Sequence, residues 1–244
     1  MIEAFLMAGQ SHMAGRGIIG DVPPIPHEGR MLMLRNGRWQ PMSEPINPDR
    51  AVFVDDRSRY RSGIGPAASF AQAWTRHRDG RVGLIPCADG GTAIAAWEPG
   101  GILFDNAVFA VRLARRSGGV LRGILWAQGE SDSKDPALAA AHRDKLAALI
   151  AAFRYELGEP DLPFLMGGVD VRPRYPYAET VNEGMRALCA EDPRLAFVPV
   201  TGFSVGPDGI HYTAADYREF GRRYWAAFAA MTGEPPEEGE LSQA

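Results

Sequence analysis

The chain has 244 residues, 45 % of them hydrophobic and 23 % charged, with a formal net charge of −4. That length is ordinary for one α/β domain with its own core. The acidic balance gives no reason to expect a nucleic-acid partner: the 26 basic residues, all but two of them Arg, are scattered among acids rather than clustered and read as solvated surface.

In chain order, Ala4–Ala8 reads as a short buried strand, and Gly9 then frees the backbone to turn. Residues 14 to 64 follow as a Gly-, Pro- and Arg-rich excursion with only brief apolar runs such as Met31–Leu34. Loops of this length are often functional. Ala67, Phe70, Ala71 and Trp74 recur at helical spacing, and Val82–Pro86 reads as a second strand. A weaker helix around Val108, Val111 and Leu113 leads to a third strand at Leu121–Trp126. A helix through Leu146, Leu149, Ile150, Phe153 and Leu157 precedes a fourth at Phe164–Val169. Val181, Met185 and Leu188 mark a helix before a fifth strand, Leu195–Val200, and Tyr217, Phe220, Tyr224, Phe228 and Met231 mark a final helix. The alternation predicts an α/β fold: a five-stranded parallel sheet covered on both faces, in the flavodoxin-like order 2-1-3-4-5. Residues 1–232 read as a single domain, and the acidic tail from Gly233 as disordered.

Cys87 and Cys189 are too few for a disulfide framework and read as buried free thiols. The five histidines form no ligand pair at metal spacing, so no metal is expected. No apolar run reaches membrane-spanning length, and no basic segment precedes the first strand. No membrane partner and a cytoplasmic location are the expectations.

Four polar segments follow strand ends or lie in the last loop: "GQSHM", "PCADGGTAIAAW", "WAQGESD" and "GPDGIHYTAADY". In an open parallel sheet all of them meet at one edge, where ligands bind. In "DGIH", Asp208 and His211 are three apart, close enough for the carboxylate to accept from one imidazole nitrogen and turn the other outward as a base. Ser11 adds a hydroxyl nucleophile, and the chain order Ser…Asp…His is one of the known convergent arrangements. Taken singly, each has a plainer reading: Asp208 as a turn residue, His211 as a satisfied surface side chain, Ser11 as a helix cap. Acyl transfer also needs oxyanion donors, and three are available: the backbone N–H groups of Ser11 and Gly91, and the Gln128 amide. The plainer readings are a tight turn capping the next helix for "DGGT" and a tie between two loops for Gln128. Neither Gly-rich segment fits a phosphate loop.

"GQSHM" resembles the first block of SGNH-type serine hydrolases, in the variant that reads GQSN-M. "GGTAIAAW", "WAQGESD" and "DGIHYT" are similar to later blocks of the same branch, which holds the carbohydrate esterases of family six and the sialate O-acetylesterase-like proteins. "SGIGPAASFA" at 62–71 resembles its early helix, so the likeness runs from residue 5 to 225 in the expected order. The resemblance implies a three-layer α/β/α fold (the SGNH hydrolase fold), Ser11 as nucleophile, His211 as base and a metal-free, cofactor-free mechanism. His12 stands where the family has Asn, and Ala127 where an aromatic residue is common. In relatives both the Asp of "DxIH" and the Glu of "QGE" have been considered as the acid. Asp208 is favoured here for its nearness to His211, which leaves Glu130 to hold the loop or the imidazole, or to serve as the alternative acid.

The reading is a serine esterase that removes small acyl groups, acetyl above all, from a hydroxylated substrate such as an O-acetylated xylan or sialic acid. Trp97 and Tyr212 are candidates to pack on a sugar face and equally candidates for ordinary core; Arg16 reads as a solvent-exposed side chain before it reads as a carboxylate contact, and His12 is a candidate to touch substrate or loop. The rivals are a non-catalytic carbohydrate-binding protein on the same fold and a lipase or thioesterase for long acyl chains. The 14–64 excursion is too polar to suggest the groove a long chain needs. Oligomeric state leaves no signature in the sequence.

Overall fold

The computed structural model describes residues 1–48 and 61–233. The acidic tail beyond Gly233 and part of the 14–64 excursion lie outside the described residues.

The first strand, β1 (Ile2–Gly9), is buried along nearly its whole length because it sits mid-sheet with helices on both sides. Its side chains alternate between two cores. Ala4, Leu6 and Ala8 face one; Phe5 and Met7 face the other. A four-residue helical turn, α1 (Ser11–Ala14), follows directly, and the chain then enters the excursion.

There the structure departs from the expected count: the sheet has seven strands, not five. The two extra ones, β2 (Met31–Arg35) and β3 (Arg38–Pro41), form an antiparallel hairpin. Its two-residue turn is Asn36-Gly37, with φ of 49° and 70°, the left-handed pair that such a turn requires. The hairpin adds to the edge of β4 (Arg81–Pro86) through parallel pairing of β2.

The remaining strands are those expected, with the fourth and fifth ending earlier: β5 (Gly119–Ala127), β6 (Phe164–Gly167) and β7 (Leu195–Val198). The full order is β3-β2-β4-β1-β5-β6-β7. Taken alone, β4-β1-β5-β6-β7 reproduces the 2-1-3-4-5 arrangement. Opposite Ala4 and Phe5, β5 carries one extra residue, so Leu121 and Gly123 are the register partners and Arg122 is bulged. This slip puts Leu121 and Ile124 on the same face.

Two helices, α2 (Ala67–His77) and α6 (Ala214–Thr232), supply the core on one face; α3 (Ile102–Arg116), α4 (Pro136–Leu157) and α5 (Ala178–Glu191) supply it on the other. The result is a three-layer α/β sandwich. Local chemistry fixes where helices begin: the Asp135 carboxylate accepts from the N–H groups of Ala137 and Leu138 at 2.8 and 3.0 Å ahead of α4, with Pro136 at the first helical position. Thr213 caps α6 in the same way by accepting from Asp216 N–H. Cys87 is buried and Cys189 half-buried, and both are free.

Candidate active site

β1 ends against the carbonyl end of β5. Gly9 has φ +118°, and a Cβ there would lie 2.2 Å from the Ala127 carbonyl oxygen, so only glycine lets the strands close here. Gln10 N–H donates to that carbonyl at 2.8 Å, and the chain turns into α1. Ser11 therefore stands at the carboxyl edge of the sheet, at the first helical position. Its N–H has no carbonyl behind it within the helix.

The loop before α6 comes to the same edge. Asp208 Oδ1 accepts from the backbone N–H groups of Ile210 and His211, both at 2.9 Å, which folds the loop into a tight turn. Asp208 Oδ2 then lies 2.6 Å from His211 Nδ1, and His211 Nε2 lies 3.0 Å from Ser11 Oγ. The carboxylate can only accept, so Nδ1 carries the proton and Nε2 turns a lone pair to the hydroxyl. Burial lowers the His211 pKa below its ordinary 6.5, against an opposing pull from Asp208. For Asp208 itself burial acts upward, yet the hydrogen bonds from His211 and Ile210 outweigh it and hold the carboxyl below 3.8.

These groups open on a pocket of about 250 Å³. Gly90 and Gly91 form one wall; a Cβ on Gly90 would sit 3.6 Å from Ser11 Cβ, and the Cβ side of Gly91, at φ +77°, is open. Arg16 reaches the pocket with its guanidinium on the Gly15 carbonyl and Ser62 Oγ at 2.8 and 3.2 Å. Gln10, Ser131, Lys134, Arg174, Tyr175 and Ile210 complete the lining together with Glu130. None of those six was singled out from the sequence. Gln10 and Ser131 lie inside segments already marked, and Ser131 Oγ donates to Gln10 Oε1 at 3.2 Å. Arg174 and Tyr175 come from "RPRYPY", which follows β6 and so falls under the same strand-end rule as the other segments.

Other expected contacts lie elsewhere. Gln128 is buried with its NH₂ group donating to the Thr92 carbonyl at 3.1 Å and to Asp132 Oδ2 at 2.5 Å, so both amide hydrogens are committed away from Ser11. Trp97 is wholly buried in the core, edge-on to Trp126 at 5.2 Å, with its indole N–H on Thr92 Oγ1. Tyr212 is also buried and stacks on His12 at 4.1 Å rather than facing the pocket. His12 lies beneath the site: Nδ1 is 3.0 Å from the Tyr217 hydroxyl and Nε2 is 3.5 Å from Glu130 Oε1. Burial holds its pKa well below 6.5, which makes it a neutral spacer under the nucleophile's turn. Glu130 faces His12, while the carboxylate on His211 is Asp208.

The model for "Carbohydrate esterase, sialic acid-specific acetylesterase" matches residues 1–230. The chain belongs to this family. The "Probable carbohydrate esterase" of Arabidopsis thaliana is 30 % identical over 228 residues, covering 86 % of this chain and 84 % of the plant protein. The X-ray structure of that plant protein superposes with a TM-score of 0.82 at 27 % identity, covering 93 % of this chain and 98 % of the other. The crystal structure of NanS matches at TM-score 0.72 and 16 % identity, over 96 % and 98 % of the two chains. A carbohydrate acetylesterase from Xanthomonas citri matches at 0.68 and 19 %, over 95 % of this chain but 57 % of that one. These last two likenesses speak to the fold. Family membership makes the protein a carboxylic-ester hydrolase of the acetylesterase type, and an acetylated carbohydrate the substrate that the family suggests.

Within this esterase the Glu130 carboxyl is displaced far from ordinary ionisation. Burial raises its carboxyl pKa from 4.5 to about 7, with Arg172 and a backbone hydrogen bond acting the other way. The folded state thus binds the proton more tightly than the unfolded chain. The stability this group contributes is present in full below pH 4.5 and lost as pH rises through about 7. Glu130→Gln cannot ionise. The variant should unfold with the wild type at pH 4.5 and be more stable at pH 8, by on the order of 3 kcal/mol. Denaturant melts at the two pH values check this; an unchanged difference across that range would contradict it.

Proposed function

We propose that the protein is a serine esterase that removes acetyl groups from O-acetylated carbohydrates, with Ser11, His211 and Asp208 as its catalytic triad. The observation that carries this reading is the unbroken chain from Asp208 Oδ2 to His211 (2.6 Å) to Ser11 Oγ (3.0 Å) at the floor of a pocket. Ser11 Oγ attacks the ester carbonyl carbon as His211 Nε2 takes the hydroxyl proton. Asp208 holds the imidazole in the required tautomer and stabilises its charged form. The tetrahedral oxyanion is held by the N–H groups of Ser11 and Gly91. On collapse the carbon–alkoxide bond breaks, and His211 returns its proton to the departing sugar oxygen. Water, deprotonated by the same imidazole, then attacks the acetyl–Ser11 carbonyl; the acyl–Oγ bond breaks, acetate leaves, and His211 returns the proton to Ser11 Oγ.

The rim supports a further distinction among sugars. Lys134 and Arg174 are exposed at the pocket and form no ion pair among the described residues, and Arg16 also lines it. Such a lining favours a sugar bearing a carboxylate, the sialic-acid type, over neutral xylan.

In this mechanism the base works only when neutral. With its pKa below 6.5, His211 should give a kcat/KM that rises with pH and reaches half its plateau below pH 6.5. Asp208→Asn removes the group that favours the imidazolium, so the midpoint should move lower still. Its kcat should fall by on the order of 10⁴, the scale of the same change in serine proteases. Glu130→Gln should cost far less. Hydrolysis of an aryl acetate across pH measures all three; a larger loss in Glu130→Gln than in Asp208→Asn would transfer the acid's role to Glu130.

A pocket of this size suits a short acyl group, since each added methylene needs apolar lining worth ~0.8 kcal/mol. Turnover should fall steeply from acetate to butyrate to octanoate esters of one alcohol. Among acetylated sugars, a carboxylated one should show the lower KM, with the gap closing in the Lys134→Ala/Arg174→Ala double variant. A preference for octanoate would replace the carbohydrate reading with a lipase one.

A further inference from the structure

Behind the wall that carries Gly91 lies a closed hydrogen-bonded set that no step of the reaction uses. Gln128 Nε2 donates to the Thr92 carbonyl and to Asp132 Oδ2, and Asp132 Oδ2 also accepts from Ile94 N–H at 3.0 Å. On the opposite side of the amide, Gln128 Oε1 lies 3.1 Å from His142 Nε2. Gln128, Asp132 and His142 are each 1 % exposed or less.

The chemistry of the partners fixes how each group is turned. A carbonyl and a carboxylate only accept, so the amide must present its NH₂ to Thr92 and Asp132. Oε1 then faces His142, and Nε2 of that ring must carry the hydrogen. The other ring nitrogen, Nδ1, is left as a buried lone pair with no partner among the described residues. Burial holds the His142 pKa down to about 4, so the ring is neutral and this tautomer persists through the neutral range. An apolar side chain would fill the space without leaving a buried nitrogen unpaired. A polar ring at that position is thus a local expense with a specific return: one N–H aimed at Gln128.

The segment held this way is the loop at the active site. Thr92 follows Gly91, which lines the pocket with Gly90 and Ser11; a Cβ on Gly90 would lie 3.6 Å from Ser11 Cβ. We propose that His142 is a positioning residue for catalysis: by donating to Gln128 Oε1 it locks the amide through which Gln128 and Asp132 hold residues 91–94, and so fixes Gly91 N–H where the oxyanion forms. The proposal rests on the serine-esterase reading above, and it gives Gln128 an indirect role in place of a direct one. Without the His142 donor Gln128 Oε1 is left unpaired and the amide loses its anchor on the side opposite Thr92 and Asp132, which loosens its hold on the loop.

The test compares His142→Leu, which deletes the donor, with His142→Gln, whose amide NH₂ reaches the same place. With an aryl acetate, His142→Leu should lose about 10²-fold in kcat with little change in KM, the effect of misplacing a group by about 1 Å. His142→Gln should recover most of the loss. Phenylboronic acid, which forms a tetrahedral adduct on the Ser11 hydroxyl, should lose affinity in proportion to kcat/KM across the variants. A role in stability alone would lower the melting temperature and leave both ratios untouched. Wild-type kcat in folded His142→Leu, an equal loss in both variants, or a loss confined to KM overturns the proposal. If His142→Leu does not fold, Asp132→Ala against Asp132→Asn decides in the same terms, because Asn keeps an oxygen where Oδ2 stands. Failure of the esterase reading would show separately, as wild-type turnover that survives Ser11→Ala.

Discussion

The carbonyl of Ala127 leaves no space for a side chain at position 9, and that contact sets the geometry of everything at the sheet edge. It brings β1 and β5 into register up to their last residues, so the chain must turn at Gly9 and deliver Ser11 at the edge. The polar segments after β4, β5 and β6 then converge because parallel strands all end on the same side. His211 comes from the far end of the chain, 200 residues from Ser11, and is carried there by the loop that opens α6. Packing of α6 on the same core as Phe5 and Met7 therefore fixes the serine–histidine contact as firmly as anything local does.

Burial governs the ionisations at the site. His12 is kept neutral under the turn that carries Ser11, so its ring adds no positive charge beside the developing imidazolium at His211. Glu130 is buried on the other side of His12 and titrates near neutrality. The one carboxylate held firmly ionised beside the imidazole is Asp208, which is more exposed and accepts three hydrogen bonds. Environment thus distinguishes two carboxylates of similar intrinsic chemistry, as it does where one must stay charged and another neutral.

Much of this was legible in the sequence where the signal was local. The i, i+3 spacing of Asp208 and His211 already contains their contact, and the apolar runs of the five central strands are long enough to stand out. The hairpin β2–β3 was missed because its strands are short, and β3 largely polar, within a Gly- and Pro-rich stretch. The Asn36-Gly37 pair is a strong turn signal that could have marked it. For Gln128 the sequence leaves two readings open, oxyanion donor or tie between two loops, because position in a motif gives reach, but not the acceptors that compete for its hydrogens. Thr92 and Asp132 come to Gln128 only through tertiary folding. Trp97 and Tyr212 failed as sugar platforms on the same ground, since an aromatic residue near a site in sequence is as readily core as surface. Arg174 and Tyr175 follow β6 and were within reach of the strand-end rule that found the other segments.

The central claim is that Ser11 is an activated nucleophile, and covalent labelling tests it most directly. The protein would be treated with a fluorophosphonate, its intact mass measured and the modified peptide mapped, alongside Ser11→Ala and His211→Ala. The account predicts one label per chain, on Ser11, absent in Ser11→Ala and strongly slowed in His211→Ala. Wild-type protein that hydrolyses an acetyl ester yet takes no label at Ser11 would contradict it.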